Sequence, residues 1–296
     1  MDVSAKGLGE AEVRKYGRLL RTVGALTALW VCSGAKKPPW DESRAGAALE
    51  LAGAKMIHNE EFEKRRSFRG PILWAKQHAD VGLEKYDAPG GAAYSIDDGH
   101  LVLTAYKNDA GVIRSGNVQS LHADQSYQGK FIHPGVNGFT CVACYWETRA
   151  LFPKAYGTWA AFWLLTPDRP GNRGHLEVDA IEFYGLADAR GHHHSWHRWE
   201  TKANGGHTYN SNYVGMEKLT KFGWHTYGVD LRGIAKVDGK PAMVIYFDRR
   251  EVARYAVDPD FFSKPFYYLL TLSVNPKDKK WTFPQSVRFD YVKVWR

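Results

Sequence analysis

The sequence predicts an all-β fold, either a β-sandwich or a jelly roll. Short apolar or alternating runs follow one another through most of the 296 residues, separated by turn signals rich in Gly, Asp and Pro. Apolar residues spaced for one face of a helix are scarce. The chain also carries 11 Trp and 16 Tyr, which suit the half-buried, pleated surface of a sheet. Many short strands with regular turns are typical of sandwiches and jelly rolls.

The predicted domain covers residues 50–296. Asp98 and Gly99 indicate a turn within a strand region at 96–106, because Asp-Gly pairs favour tight hairpin turns. A long strand is expected at 138–151. Further strands are predicted at 158–165, 176–184, 225–231, 243–247, 267–274 and 287–295.

Residues 1–49 are predicted to be a signal-like segment followed by a linker. Basic residues between 14 and 21 precede an apolar run at 22–31, and small residues follow it. That layout is typical of a secretory signal peptide, and the run is too short to span a bilayer. Paired prolines indicate the linker, and 42–51 is expected to form a short helix. We expect a secreted, periplasmic or cell-surface protein without a membrane span; the alternative is the amphipathic N-terminal helix of a cytosolic protein.

The formal net charge is +8, with an isoelectric point of about 9.2. Such a charge attracts anionic polymers, which include nucleic acids, anionic membranes and acidic polysaccharides. No standard nucleic-acid-binding motif is present, so a nucleic-acid partner is not expected. The alternative interpretation is a charge that serves only solubility.

Cys141 and Cys144 have the spacing of a redox or metal-binding pair. No second cysteine pair completes a zinc site. The two residues fall in the strand predicted at 138–151, where side chains three positions apart point to opposite faces. We therefore predict two separate thiols that pack in the core as small apolar groups.

Three acidic residues lie within one apolar strand. Glu177 and Asp179 share a face, whereas Glu182 would point into the opposite layer if the strand were regular. An unpaired carboxylate buried there would be costly. One extra residue at 180–181, a β-bulge, would return Glu182 to the face of the other two, and bulges are frequent beside active sites. We therefore predict a bulge at this point.

This carboxylate cluster suits chemistry at a glycosidic bond. Retaining glycosidases use one carboxylate as nucleophile and a second carboxyl group as acid and base, about 5–5.5 Å apart. Asp179, lying between the two glutamates, would repel both charges and separate their pKa values. The alternative is a solvated acidic face, which the flanking apolar residues Leu176, Val178, Ile181 and Phe183 disfavour.

With this motif the chain resembles glycoside hydrolase family 16, whose signature is E-x-D-x-x-E in its bulged form. Glu177, Asp179 and Glu182 match every fixed position. The family often has Pro where Ala160 stands, and the residues just before the motif also differ. Further segments resemble the family in the same order, from about residue 50 to the end: 55–62, 114–120, 145–149, 157–165, 222–227 and 289–294.

The resemblance implies a concanavalin A-like jelly roll of two curved antiparallel sheets with a concave substrate cleft. Glu177 would be the nucleophile, Glu182 the general acid/base, and Asp179 would assist the nucleophile. The reaction would be endo-hydrolysis of a β-linked polysaccharide with retention of configuration, by a monomer that requires no cofactor. Asp290 resembles a position that often helps to hold a structural calcium ion; a solvated carboxylate is the alternative.

Six further residues are expected to bind substrate. The two tryptophans of strand 158–165 would stack on sugars, with ordinary core packing as the alternative. The His-rich segment 191–199 resembles a cleft segment of some family members; a wet loop without a special role and a zinc site are its alternatives, although the chemistry requires no metal. The amide and phenol candidates would hydrogen-bond sugar hydroxyls, with surface roles as the alternative. The six are Trp159, Trp163, Asn117, Tyr184, His197 and Trp199.

Three other functions compete with hydrolysis: a non-catalytic carbohydrate-binding module, a transglycosylase and a polysaccharide lyase. A binding module on this fold has no need of all three carboxylates, so their presence favours an enzyme. The substrate stays open among β-1,3-glucan, mixed-linkage glucan, galactan and an acidic bacterial exopolysaccharide.

Overall fold

The computed structural model describes residues 46–63, 68, 73–75, 78, 80–122, 138–167, 175–188, 191–200, 206–215 and 222–296. Within these ranges, 188, 192 and 212–215 are described by their backbone alone. The signal-like segment and Cys32 lie outside the described residues. No helix in the described part is both long and apolar enough to cross a bilayer.

The described residues form strands almost throughout, with one short helix, α1 (Asp260–Ser263), and a 3₁₀ turn at Gly185–Asp188. The strands in chain order are β1 (Met56–Glu60), β2 (Trp74–Ala75), β3 (Lys85–Tyr86), β4 (Tyr94–Asp97), β5 (His100–Lys107), β6 (Ile113–Ser115), β7 (Asn117–Gln119), β8 (Tyr145–Leu151), β9 (Thr158–Leu165), β10 (His175–Phe183), β11 (Gly191–Trp199), β12 (His207–Gly215), β13 (Trp224–Asp230), β14 (Lys236–Val237), β15 (Lys240–Phe247), β16 (Arg250–Ala256), β17 (Tyr267–Val274) and β18 (Gln285–Trp295).

The strands build two sheets. Seven strands follow the order β12-β11-β10-β9-β17-β7-β2. The second sheet runs β14-β15-β13-β8-β18-β5-β6-β3, with β1 beside β18, β16 beside β15 and β4 beside β5. All pairs are antiparallel except the short pair β3 and β6. The all-β prediction is therefore confirmed, and the strand with the three acids lies in the middle of the seven-stranded sheet.

The hydrophobic core explains why one face of the seven-stranded sheet is closed to solvent. Alternate residues of its central strands, such as Phe162, Val178 and Leu270, are fully buried in one apolar cluster. Residues of the other sheet, among them Trp146 and Phe289, join the same cluster. Because side chains alternate along a strand, the remaining residues of β9, β10 and β17 lie on the outer face, which carries the candidate site.

Most predicted strands are present with small changes at their ends. The strands predicted at 158–165 and 267–274 have those bounds, and the hairpin of β4 and β5 turns at Asp98 and Gly99. The strand predicted at 138–151 is shorter and begins at Tyr145.

The prediction of two separate thiols is wrong in one respect. Cys141 and Cys144 are buried as expected, but a disulfide joins them, with their Cα atoms 6.1 Å apart. The segment is a bend instead of a strand, since Ala143 has a positive φ of 55°. That bend turns the two side chains towards each other.

The helix predicted at 42–51 is absent from its described part, 46–51. The backbone amides there bond to the hairpin of β15 and β16 instead of within a helix. Gly46 donates to the carbonyl of Glu251 at 2.7 Å, and Leu49 donates to the carbonyl of Arg249 at 2.9 Å. Tertiary pairing therefore outweighs the local helix propensity.

Asp290 does not fit the expected calcium site. Its carboxylate lies 2.6 Å from the guanidinium of Arg149 and 3.8 Å from the imidazole of His100. Calcium requires six to eight oxygen ligands, whereas a guanidinium already neutralises this carboxylate.

Candidate active site

The predicted bulge is present in β10. Between Asp179 and Glu182, β10 advances three residues while the paired strand β11 advances two, from Ser195 to His193. The pairing with β9 shifts at the same place. Ala180 and its neighbour Ile181 both pack into the core, so Glu182 returns to the outer face.

The three carboxylates form part of an open cleft of about 320 Å³ on that outer face. β9 and β17 supply the neighbouring floor, and Val81, which precedes β3, supplies one wall. The lining residues are Val81, Trp159, Ala161, Trp163, Glu177, Asp179, Glu182, Thr271 and Ser273. The arrangement brings all three acids together on one accessible surface.

Glu182 is held by two neutral donors. The indole Nε1 of Trp159 donates to Oε1 at 2.8 Å, and the Tyr184 hydroxyl donates to the same oxygen at 3.1 Å. Gly185 follows immediately with a φ of +58°, and a Cβ there would collide with the carbonyl of Ala155. Glycine is therefore required where the chain turns away behind Tyr184.

Glu177 has a different environment. The indole Nε1 of Trp199 donates to Oε2 at 2.9 Å, while Nε2 of His197 lies 3.8 Å from Oε1. One oxygen thus meets a neutral donor, and the other faces an ionisable ring.

Asp179 is almost fully buried between the two glutamates and is tied to β11. The Ser195 hydroxyl donates to Oδ2, and Nε2 of His197 lies 3.1 Å from the same atom. Pairing of Asp179 with Ser195 and of Glu177 with His197 in the strand register produces these contacts.

Burial perturbs the charges of this cluster. Desolvation, followed by the charge of Asp179, raises the pKa of Glu177 to about 8 and that of Glu182 to about 7. Burial alone would lower the pKa of His197, but the hydrogen bond and charge of Asp179 outweigh it, so this pKa is raised.

The position of the histidine separates the two glutamates chemically. His197 lies beside Glu177 and Asp179, whereas Glu182 is hydrogen-bonded by an indole and a phenol. In its cationic form His197 favours ionisation of Glu177, its nearer glutamate, although desolvation still raises the pKa of Glu177 above that of Glu182. The cluster can present one nucleophilic carboxylate and one proton donor.

Four of the six predicted binding residues lie in or beside the cleft. Trp159 and Trp163 line the cleft. Tyr184 and His197 contact carboxylates of the cluster, as described above.

Trp199 offers its edge more than its faces. It stacks between His207, at 3.7 Å between ring centroids, and His175, at 5.9 Å. A sugar-stacking role therefore does not suit this tryptophan, which instead donates a hydrogen bond to Glu177. The strand pattern alone does not show which rings of neighbouring strands stack on each other, so these stacks were not predicted.

Asn117 does not reach the cleft surface. It pairs in register with Thr271 of β17, which lines the cleft, but its own side chain is fully buried. The prediction that it hydrogen-bonds sugar is not supported by this placement.

A metal ion could be bridged only by Glu177, Asp179 and His197 among the described residues, since one donor atom of each lies within 4.8 Å of the others. Nε2 of His197 already contacts Asp179 at hydrogen-bond distance. The three side chains therefore form a hydrogen-bonded charge cluster instead of a metal site.

Two polar residues near the acids were absent from the predicted site. Ser195 shares a strand face with His197, and that alternation could have identified it. His207 lies 2.9 Å from His197, measured between Nε2 and Nδ1, and directly follows Gly206. A hairpin prediction at that glycine would have placed it beside Trp199.

Comparisons with known proteins identify the fold. No protein-family model and no curated protein matches the chain. Among solved structures, SCLam, a non-specific endo-β-1,3(4)-glucanase from family 16, is 18% identical, with a TM-score of 0.61 over 89% of this chain and 97% of that one. The laminarinase from Flavobacterium sp. UMI-01 is 21% identical, with a TM-score of 0.60 over 82% and 100%.

A third similar structure is the catalytic domain of an endo-1,3-β-glucanase (laminarinase) from Thermotoga petrophila RKU-1, at 19% identity. Its TM-score is 0.57 over 82% of this chain and 98% of that domain. At such identities the likeness concerns the fold. The chain has the jelly-roll fold of the family 16 glycoside hydrolases, as its sequence predicted.

Proposed function

We propose that the chain is an endo-acting β-glycoside hydrolase of family 16 that cleaves a polysaccharide with retention of configuration. The observation that supports this most strongly is the bulge in β10, which brings Glu177, Asp179 and Glu182 onto one accessible cleft surface. Each acid there has its own hydrogen-bond partners. A carbohydrate-binding module would not require three clustered, partly desolvated acids.

The proposed reaction is a double displacement. Glu177 attacks the anomeric carbon as its carboxylate, and Glu182 protonates the departing glycosidic oxygen, so a glycosyl ester forms on Glu177. Glu182, now a carboxylate, removes a proton from water, which attacks the same carbon and releases Glu177. Asp179 keeps the histidine cation beside the nucleophile.

A β-glucan with 1,3 or 1,4 linkages is the first proposed substrate, since SCLam and the laminarinases with the same fold are named for such activities. Galactan and an acidic exopolysaccharide are the other members of a test panel. Because such polymers lie outside cells, we propose that the protein is exported and acts there as a monomer.

Replacement of each glutamate tests the proposed roles. We expect Glu177→Gln and Glu182→Gln to lose about 10²–10⁴-fold in the release of reducing ends, because each removes a group that takes part in bond breaking. Glu61→Gln, a change at a half-buried glutamate beyond β1 and outside the cleft, is the matched control and should keep full activity. Full activity in either cleft variant would refute its role.

Azide rescue distinguishes nucleophile from acid/base. With an activated aryl glycoside, Glu177→Ala plus azide should give a glycosyl azide of inverted configuration, since azide replaces the nucleophile. Glu182→Ala plus azide should give the retained product, since azide then attacks the glycosyl ester. The opposite stereochemistry would exchange the two assignments.

The competing functions predict different products. Binding without any released sugar would support a binding module, and products longer than the substrate would support a transglycosylase. Unsaturated ends, detected by ultraviolet absorbance, would support a lyase.

A further inference from the structure

The two ring nitrogens of His197 have different neighbours. Nε2 lies 3.1 Å from Oδ2 of Asp179, 3.2 Å from the hydroxyl oxygen of Ser195 and 3.8 Å from Oε1 of Glu177. Nδ1 lies 2.9 Å from Nε2 of His207, which belongs to the edge strand β12. The histidine pair therefore extends the carboxylate cluster to the edge of the sheet.

Hydrogen-bond chemistry restricts the protons of this pair. The Asp179 carboxylate only accepts, so Nε2 of His197 carries a proton. If His197 is neutral, its Nδ1 accepts from Nε2–H of His207. If His197 is cationic, its Nδ1–H donates to an unprotonated Nε2 of His207. One proton lies between the two rings in both states, and His207 serves either state by changing its tautomer.

The surrounding rings hold the pair in position. His207 lies parallel to Trp199, with centroids 3.7 Å apart and an angle of 2° between the planes. Tyr209, which lies on β12 with His207, stacks on His197, with ring centroids 5.7 Å apart and an angle of 17° between the planes. The strand register, with Trp199 opposite His207 and His197 opposite Tyr209, produces both stacks. Either imidazole would lose a ring contact if it tilted out of these nearly parallel planes.

The proton preferences of the two rings are complementary. His207 has a lowered pKa, caused first by partial burial and then by the charge of His197, whose own pKa is raised. His207 is thus suited to remain the neutral acceptor while His197 is the cation. The other described titratable groups that face the pair or its partners are Glu177, Asp179, Glu182, His175, Tyr184, His193 and Tyr209.

We propose that His207 is a positioning residue that orients His197 and stabilises its cationic form, so that positive charge stays beside Glu177 and not beside Glu182. The inference rests on the proposed hydrolase function for its catalytic meaning. In this arrangement the histidine pair, contributed by β11 and β12, decides which of the two glutamates is the nucleophile.

We test the proposal by comparing His207→Phe with the wild-type protein. Phenylalanine keeps a ring against Trp199 but removes the nitrogen that accepts from His197. We expect the side-chain pKa of His197, followed by NMR, to fall by about one unit, equivalent to a ten-fold change in its protonation equilibrium. An unchanged His197 pKa in this folded variant would overturn the proposal.

Kinetics provide the second readout. In His207→Phe we expect the acidic limb of the kcat/KM profile to move to higher pH, since Glu177 loses part of the charge that favours its ionisation. We expect kcat to fall about ten-fold near neutral pH, matching one pKa unit, with KM little changed. A raised KM with unchanged kcat would instead identify His207 as a substrate contact and contradict the proposal.

Two further variants complete the design. His207→Gln retains an amide oxygen that can accept from Nδ1–H of His197 and should restore most of the wild-type profile. Thr208→Ala changes the adjacent exposed residue of β12, whose side chain lies on the opposite face of the sheet, so its profile and the His197 pKa should match wild type. Because the NMR titration does not require turnover, an inactive wild-type protein would refute the hydrolase function while still deciding whether the histidines are coupled.

Discussion

At the scale of residues, the two cleft glutamates are less stable as anions in the folded chain than in water. Burial, reinforced by Asp179, raises the pKa of Glu177 to about 8 and that of Glu182 to about 7. The folded state therefore binds these protons more tightly than the unfolded state. Their contribution to stability is fully present below the ordinary carboxyl pKa and is lost as the pH rises through 7 to 8.

We predict that Glu177→Gln and Glu182→Gln are more stable than wild type at pH 8 and gain no such advantage at pH 4. Glutamine keeps an acceptor for the indole donors and avoids the buried charge. Each kcal/mol gained should raise the melting temperature by roughly 2–4 °C for a domain of this size. Calorimetric melts of the three proteins at both pH values measure the difference.

Glu61→Gln is a control, because the pKa of Glu61 is shifted in the opposite direction. The hydrogen bond from Lys293 lowers the pKa of this carboxylate, so its small contribution is present at pH 8 and lost in acid. The variant should show no gain at pH 8. Equal melting temperatures of wild type and the cleft variants at pH 8 would contradict the predicted charge burial.

The three carboxylates could be found from sequence because their spacing conflicts with a regular strand, and only a bulge resolves the conflict. The partners of these acids could not all be found this way. Trp199 was predicted to bind substrate, but its hydrogen bond to Glu177 and its stacking between rings of neighbouring strands were not predicted. Asn117 was expected in the cleft, yet it is buried. Both depend on contacts between strands, which one strand's pattern does not contain.

At the scale of elements, strands of continuous apolar residues were the easiest to predict. β9 and β17 are buried along almost their whole length, and their apolar runs have sharp ends in the sequence. β12 was not predicted, because its polar and aromatic residues carry little hydrophobic alternation. The strand predicted at 138–151 loses its first half to the bend at Ala143, which joins the two cysteines.

The turn between β15 and β16 shows how a tertiary contact can hold a strained backbone. Asp248 and Arg249 both have positive φ, 46° and 59°, a conformation that tight hairpins usually assign to Asn-Gly. Arg249 nevertheless occupies the second position and binds the fully buried Glu147 with two nitrogens, at 2.9 and 2.8 Å. The hydroxyls of Tyr145 and Tyr291 also donate to that carboxylate.

We predict that Arg249→Ala lowers the free energy of unfolding by about 1–3 kcal/mol, since it removes charged hydrogen bonds from a buried carboxylate. Arg249→Gly removes the same bonds but relieves the positive φ, so it should be more stable than the alanine variant by about 1 kcal/mol. Urea unfolding of the three proteins measures both differences. An alanine variant at least as stable as the glycine variant would show that the turn is unstrained.

At the scale of the whole molecule, the candidate site belongs to one of the two sheets. The sheets share one core, and the outer face of the seven-stranded sheet carries the cleft. The formal net charge of +8 is a property of the complete chain, and a charge of this kind affects association with charged partners more than local chemistry.

We predict that this charge is visible in the salt dependence of catalysis. With an anionic polysaccharide, kcat/KM should fall as NaCl rises from about 0.01 M to 0.15 M, because the screening length shortens from about 30 Å to 8 Å. With a neutral β-glucan of similar length, it should stay nearly constant. Initial rates at low substrate concentration measure both series. Parallel curves for the two polymers would show that the net charge does not steer substrate.

The extra residue in β10 shifts by one position which residues of the strand point to each face of the sheet. Upstream and downstream of Ala180 the alternation is regular, but the two stretches are out of phase. A single deletion at 180–181 would remove the extra residue and restore one phase, and Glu182 would then lie two residues after Asp179 and stay on the outer face. The strand can therefore lose this residue and keep its three acids together, whereas one further insertion between Asp179 and Glu182 would turn the Glu182 carboxylate into the core.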